Sequence, residues 1–317
     1  MEQLLHQRVQ RLMGNRFEIS VVSDDAAWAN DRIDEAIAEI SRIERLLTTF
    51  DENSQTNQIN ASAGIRPVVV DTEVFDLIER SQRLSVLTQG AFDITYGSID
   101  KRLWNFDTTM TALPDPKTAK GMVRLINYRN VVLNHQHQTV FLKERGMRIG
   151  FGGIGKGYAA EQAKHLLLSK GVESGIVNAA GDLTTWGTQP NGQPWTIGIA
   201  DPNRNGKAVQ AFSALRISNM AVATSGNYEK YAVIDGQRYS HTIDPKTGYP
   251  VAGIKSVTIL APNAELADAL ATPVMVMGVE VGLHLINQVH HIACIIIDDH
   301  NRLYTSNNIR LMQPTVL

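Results

Sequence analysis

The sequence predicts an α+β chain, with mixed sheets and helices packed on them, from three observations. Strand-like apolar runs recur along the whole length, some in hairpins and others joined through helix-length amphipathic segments. No long linker, internal repeat or low-complexity tract divides them, so one domain over residues 1–317 built as two lobes is expected. The 317 residues, 43% hydrophobic and 20% charged, are enough for a sizeable core.

Taken in order, Phe17, Ile19 and Val21 alternate with polar residues as in a half-buried strand. Over 24–50 the apolar residues Ile33, Ile37, Ile40, Ile43 and Leu47 fall on one helix face. The polar tract 51–64 has no period and is expected to be a loop. A second helical pattern begins near Glu73 and stops at Gly90. Residues 131–133 and 139–142 flank 134–138 as the arms of a hairpin. The glycine-rich segment 150–157 feeds a helix over 158–170, which Gly171 can end in a left-handed conformation. Strands follow at 175–178, 195–200, 212–218, 255–260 and 292–297, with helical patterns over 264–288 between the last two.

Thirty Lys and Arg against 32 Asp and Glu leave a net charge of -2, so no basic excess points to nucleic acid or to an anionic membrane surface. The single cysteine, Cys294, lies in an apolar run; it excludes a disulfide framework and reads as a small buried hydrophobe. Residues 1–16 are charged every few positions and hold no apolar stretch of the length that a signal peptide or transmembrane helix needs. The sequence as given is therefore expected to be soluble.

Gly150-Phe-Gly-Gly-Ile-Gly-Lys156-Gly157 is the densest glycine cluster. It satisfies G-x-G-x-x-G, but lies mid-chain with no clean βαβ acidic residue about twenty positions on. It also reads G-x-x-x-x-G-K, but Gly157 stands where a P-loop needs a hydroxyl for Mg²⁺. Nicotinamide binding and ordinary triphosphatase chemistry are both disfavoured. What survives is physical: close backbone approach, the charge of Lys156 and a following helix N-terminus suit a pyrophosphate-containing ligand. A turn that needs glycine for sterics alone is the plain alternative.

Asp268 and Thr272, four apart in Ala-Asp-Ala-Leu-Ala-Thr, place a carboxylate and a hydroxyl on one helix face. Such donors suit a hard cation such as Mg²⁺, which keeps positions for water and phosphate, although a solvated helix face would present the same pair. Pro273 removes a helical hydrogen bond and disfavours helical geometry at Thr272. His241, in the turn-rich segment 239–250, is a candidate general base or ligand contact and equally a structural histidine. Ala91-Phe92-Asp93, just past Gly90, offers a polar loop contact or a simple cap.

In this order the sequence resembles the ApbE family of flavin transferases from about Met13 to its end. The matching stretches are Met13-Gly14, Gly90-Ala-Phe-Asp93, Gly152-Gly-Ile-Gly-Lys-Gly-Tyr-Ala159, Asn178-Ala-Ala-Gly-Asp182, Thr224-Ser-Gly-Asn-Tyr228, Ser240-His-Thr-Ile-Asp-Pro-Lys-Thr-Gly-Tyr-Pro250 and Ala267-Asp-Ala-Leu-Ala-Thr272. The resemblance implies a T-fold-like, ApbE-like α+β fold that binds FAD as substrate with Mg²⁺. By position it implies flavin-nucleotide contacts at Met13, Phe50, Ala91, Phe92, Asp93 and Lys156, with His241 beside the bound FAD. Phe50 stands where an aromatic ring, often Tyr, is usual. The metal would be held by the side chains of Asp268 and Thr272 and by the Gly153 carbonyl, and catalysis would rest on Asp268 and His241.

The implied reaction is Mg-dependent transfer of FMN from FAD to a threonine of an acceptor protein, releasing AMP. The implied acceptor is a subunit of a membrane redox complex, such as a sodium-pumping quinone reductase or an Rnf-type complex. The implied setting is periplasmic, anchored to the inner membrane. An FAD pyrophosphatase giving FMN and AMP, and a non-catalytic FAD-binding protein, are the alternatives. Two positions depart from the family pattern. Gly150 stands where Asp is frequent, and Pro273 replaces the usual Ala, so a kink is expected just past Thr272.

Overall fold

The computed structural model describes residues 2–100, 112–200, 211–227, 231–234 and 237–309, so Tyr228 of the matched stretches lies outside the described residues. Strands β1 (Leu4–Leu12) and β2 (Asn15–Ser23) form a hairpin turned by Met13 and Gly14, at φ 50° and 70°. Two positive φ values are what a two-residue turn needs to match the twist of its arms. Helix α1 (Ala26–Leu47) is capped by Asp25, whose carboxylate accepts from the Ala27 and Trp28 amides, and buries Ala29, Ile33, Ala36, Ile40 and Ile43. The tract expected to be a loop holds a two-turn helix, α2 (Gln55–Ala61), capped by Ser54. Only Thr56 and Ile59 are buried there, too few to show a period.

Next come β3 (Val68–Val69), α3 (Thr72–Leu87), a 3₁₀ turn at Ile94–Ser98 and α4 (Pro116–Met122). Strands β4 (Val131–Asn134) and β5 (Thr139–Leu142) form the expected hairpin, in a small sheet of order β3-β5-β4. Helix α5 (Gly155–Ser169) leads into β6 (Gly175–Ala179), β7 (Asp182–Trp186), β8 (Trp195–Ala200), β9 (Ala211–Ile217) and β10 (Ala221–Gly226). The hairpin β11 (Tyr231–Ile234) and β12 (Gln237–Ser240) precedes β13 (Ile254–Ala261), α6 (Ala264–Gln288), β14 (Ala293–Asp298) and β15 (Leu303–Thr305).

Eight strands make the main sheet, in the order β1-β2-β6-β7-β10-β13-β14-β15. Its connections are mixed, hairpin and helix-spanning alike, while every pairing among the described residues is antiparallel. One face carries α1, α5 and α6 over a core that includes Phe17, Ile19, Ile33, Val177, Ala223 and Ile259. Leu183, Val222, Leu260 and Ile295 point to the other face, where they pack with Ile199 and Leu215 of the β8–β9 hairpin. Both faces of β7 are therefore covered, and all five of its residues are buried.

Helix α6 explains how β13 and β14 pair antiparallel across a 25-residue helical segment. At Gly278 the backbone takes φ 81° and ψ 173°, which is not helical. Gly282 then lies against Val274: a Cβ placed on it would be 2.8 Å from Val274 Cγ1. In a straight helix those residues would be about 12 Å apart along the axis. The segment is thus two limbs, 264–277 and 279–288, folded back on each other. Pro273 does not break the first limb, so the kink expected just past Thr272 comes five residues later, where glycine supplies a conformation that proline cannot. By length and composition α6 could cross a membrane, but its reversal and the burial of its first limb make it a core element.

Candidate functional site

Helix α5 starts without a cap of its own, because Ile154 at its N-cap offers no side-chain acceptor. The missing acceptor comes from the first limb of α6: Asp268 Oδ2 takes the Gly157 amide at 2.9 Å. The favour is returned, as Glu161, one turn further along α5, accepts the amide of Ala264, the first residue of α6, at 2.9 Å. The two helix N-termini thereby cap each other with buried carboxylates, each also placed favourably for the partner helix dipole. The close approach requires glycine, since a Cβ on Gly157 would stand 2.1 Å from the Ala264 carbonyl oxygen and 2.7 Å from Asp268 Cβ. Glu161 also accepts from buried Lys164 at 3.0 Å, and Lys164 donates to Thr184 at 3.2 Å.

At this junction Lys156 lies between two carboxylates, 2.8 Å from Asp182 Oδ2 and 3.4 Å from Asp268 Oδ1. Both acids are buried, at 6% and 5% exposure. Burial alone would lower the Lys156 pKa, but the charges of Asp268 and Asp182 outweigh it and hold the ammonium well above the usual lysine range. Burial, with the negative charge of Asp268, pushes Asp182 up to about 6 despite Lys156 and a 3.3 Å hydrogen bond from the Thr224 amide. One turn beyond Asp268, Thr272 Oγ1 is 3.0 Å from Ser225 Oγ on β10, which fixes the hydroxyl on the same side as the carboxylate.

The glycine turn is attached to the other predicted segments. The Gly150 amide donates to Ile94 O, and Gly153 faces the Phe92 ring, with Cε2 at 3.7 Å from a Cβ built there. Met13, on the β1–β2 turn, reaches Gly155, its Cε at 3.6 Å from the equivalent point. Asp93 is largely spent on its own segment: Oδ1 accepts from the Thr95 amide and hydroxyl, and Oδ2 from the Tyr128 amide. Of about four acceptor positions on a carboxylate, one remains. Burial raises its pKa against these bonds.

Phe50 is 97% exposed and follows Thr49, whose methyl lies 4.0 Å from a Cβ built on Gly150. His241 is exposed at the start of a strap running to Val251, which is fastened by the Ile243 amide to the Tyr96 hydroxyl and by Tyr249 to Pro114 O. The structure thus brings Lys156, Asp268 and Thr272 together and sets Gly153 against Phe92 and Met13 against the turn. Phe50 and His241 stand at the exposed margin.

Sequence reasoning left four participants without a role. Asp182 closes one matched stretch, but its partner Lys156 is 26 positions away; Ser225 lies inside another; and Glu161 and Lys164 form an i,i+3 pair that reads as surface decoration. Only the tertiary contacts of α5 with α6 and β7, and of α6 with β10, show what they do.

The sequence model of the ApbE family matches residues 13–296. A Klebsiella pneumoniae protein named FAD:protein FMN transferase is 32% identical over 301 residues, covering 95% of this chain and 91% of its own length. A Treponema pallidum protein of the same name is 30% identical, with 96% and 87% covered. The crystal structure of the ApbE protein of Thermotoga maritima superposes with a TM-score of 0.84 at 30% identity, over 96% of this chain and 97% of that one. The apo flavinyl transferase ApbE of Pseudomonas stutzeri gives 0.83 at 26% identity, over 97% and 96%.

Proposed function

The chain belongs to the ApbE family, and from that premise we propose that this flavin transferase moves FMN from FAD to a threonine hydroxyl of its acceptor protein, with Mg²⁺ and with release of AMP. The observation that carries the reading is the buried junction where Lys156 stands between Asp182 and Asp268, beside a helix N-terminus and a glycine turn.

The donor set fits the metal. Asp268 and Thr272 present hard oxygens from one helix face, and an ammonium already stands between the two acids where positive charge is needed. Among the described residues no group of three or more His, Cys, Asp or Glu could cage an ion. Magnesium keeps water and substrate phosphate among its ligands, so it needs few donors from the protein. Asp268, Thr272 and the Gly153 carbonyl would hold it, and when bound it supplies neutralisation of phosphate charge.

The chain's own residues do the rest. Lys156 and the amides at the start of α5 face the pyrophosphate and favour its charge. Met13, Phe50 and Ala91–Phe92–Asp93 hold the flavin nucleotide, Phe50 through its exposed ring. The acceptor oxygen forms a bond to the FMN phosphorus while the bond from that phosphorus to the bridging oxygen breaks, and AMP leaves with the electron pair. His241 takes the hydroxyl proton and passes it to solvent. By the same family reading, the acceptor is a subunit of a membrane redox complex and the reaction occurs on the outer side of the inner membrane.

Asp268→Ala, incubated with FAD, Mg²⁺ and an acceptor, is expected to give no FMN adduct by intact mass while its circular dichroism stays native. Undiminished adduct would remove Asp268 from the chemistry. Free FMN and AMP without adduct, from the unmodified chain, would make the enzyme a pyrophosphatase.

A further inference from the structure

The chain as a whole carries a formal charge of -2. Yet one cavity of about 280 Å³ gathers four cations, Lys120, Arg124, Arg129 and Lys246, against one carboxylate, Asp93. Four positive charges against one negative leave a local excess of three, and Asp93 has most of its acceptor capacity occupied by Thr95 and Tyr128. Other acids on the same elements are also committed. Asp115 caps α4 through the Lys117 and Thr118 amides, and Asp244 accepts from the Lys246 amide and the Thr247 hydroxyl.

None of the four cations forms an ion pair among the described residues. Two of them are nonetheless oriented. Lys120 donates to the Lys246 carbonyl at 2.5 Å, and the Arg129 guanidinium lies 4.6 Å from the Tyr128 ring centre. The walls are locked together as well: a Cβ on Gly248 would stand 2.0 Å from Ala119 O, so the strap carrying Lys246 is seated directly on α4.

The cavity opens beside the flavin site. Gly90 and Asp93 line it and bracket Phe92, whose ring faces Gly153, and Lys246 lies on the strap that begins at His241. All four cationic side chains are exposed, which suits a partner arriving from solvent. Lys156, by contrast, lies at the helix junction paired with Asp182 and Asp268. Such an exposed field acts over about 8 Å at physiological salt and favours encounter with an oppositely charged surface.

We propose that this basic cavity docks an acidic segment of the acceptor protein and so delivers the neighbouring hydroxyl to the flavin site. The proposal rests on the transferase reading, but its test reads binding without turnover, so loss of docking and loss of transfer are separate results. The probes are two fluorescein-labelled twelve-residue peptides with a central Thr, one flanked by four Glu and the other by four Gln. They are titrated with the full chain at low salt and followed by fluorescence polarisation.

The acidic peptide is expected to bind at least about tenfold more tightly than the neutral one, and Lys120→Glu with Lys246→Glu is expected to abolish the difference. Lys143→Glu with Arg66→Glu, the same charge change at exposed positions outside the cavity, should preserve it. FAD affinity, measured by flavin fluorescence, should be equal in all three proteins. Equal binding of the two peptides, or equal loss in both double variants, would overturn the proposal. So would weakened FAD binding in the cavity variant alone, which would assign the cavity to the nucleotide.

Discussion

Replacing Glu161 by Ala removes one half of the mutual capping between α5 and α6, and the cost can be worked from its partners. The Ala264 amide loses its 2.9 Å acceptor in a buried position, which costs about 1–3 kcal/mol. Lys164, 8% exposed, keeps only the Thr184 hydroxyl, and an uncompensated buried charge costs about 3–5 kcal/mol. The two effects overlap, since both groups can shift toward water, so about 4 kcal/mol is expected. For a chain of 317 residues that lowers Tm by roughly 6 °C. Adding Lys164→Met removes the stranded charge and should recover about half of the loss, leaving the uncapped amide. Urea denaturation of the two single variants and the double variant closes the cycle. A Glu161→Ala loss below about 1 kcal/mol, or a double variant no more stable than the single, would refute the idea that this carboxylate sets the register of the two helices.

Gly157→Ala is expected to push α5 from α6, costing about 1–3 kcal/mol and on the order of a hundredfold in turnover; unchanged kinetics would show that the helix spacing is not critical. Gly278→Ala places a side chain at φ 81° and ψ 173° and should cost about 1–3 kcal/mol by thermal denaturation, with Asp268 and Thr272 undisturbed and FAD affinity retained. Asp182 gives a pH signature. Its folded pKa, about 6, lies above the ordinary 3.8, so the stability it contributes is complete below pH 4 and is lost as pH rises through 6. The stability of the unmodified chain minus that of Asp182→Asn should therefore fall by up to about 3 kcal/mol between pH 4 and pH 7 in paired urea titrations, and a constant difference would contradict the assignment.

Helix α1 was legible because it buries a single stripe: Ile33, Ile40 and Ile43, with half-buried Ile37 beside them, announce it without tertiary information. Edge strand β1 was not, since its residues are mostly exposed on both sides and show no alternation until it pairs with β2. Strands β7 and β10 were hidden for the opposite reason, being covered on both faces and built partly from Thr, Ser and Ala. At the site, Asp268 and Thr272 could be read from helical spacing and Lys156 from its glycine turn. Asp182 could not, because the fact that matters is its distance to Lys156, which spacing along the chain does not encode. Pro273 misdirected the expected break: the helix tolerates proline there and reverses where glycine permits it.

The reversal at Gly278 separates what must be held still from what is free to vary. Asp268 sits within two turns of a helix start clasped on both sides, and the fold-back lies ten positions, roughly 15 Å, downstream. Lengthening or trimming the chain around that bend would alter the route to β14 while leaving the acid and the alcohol where the clasp puts them. The core limb thus behaves as a fixed jaw, and the second limb as slack that absorbs change at the far end.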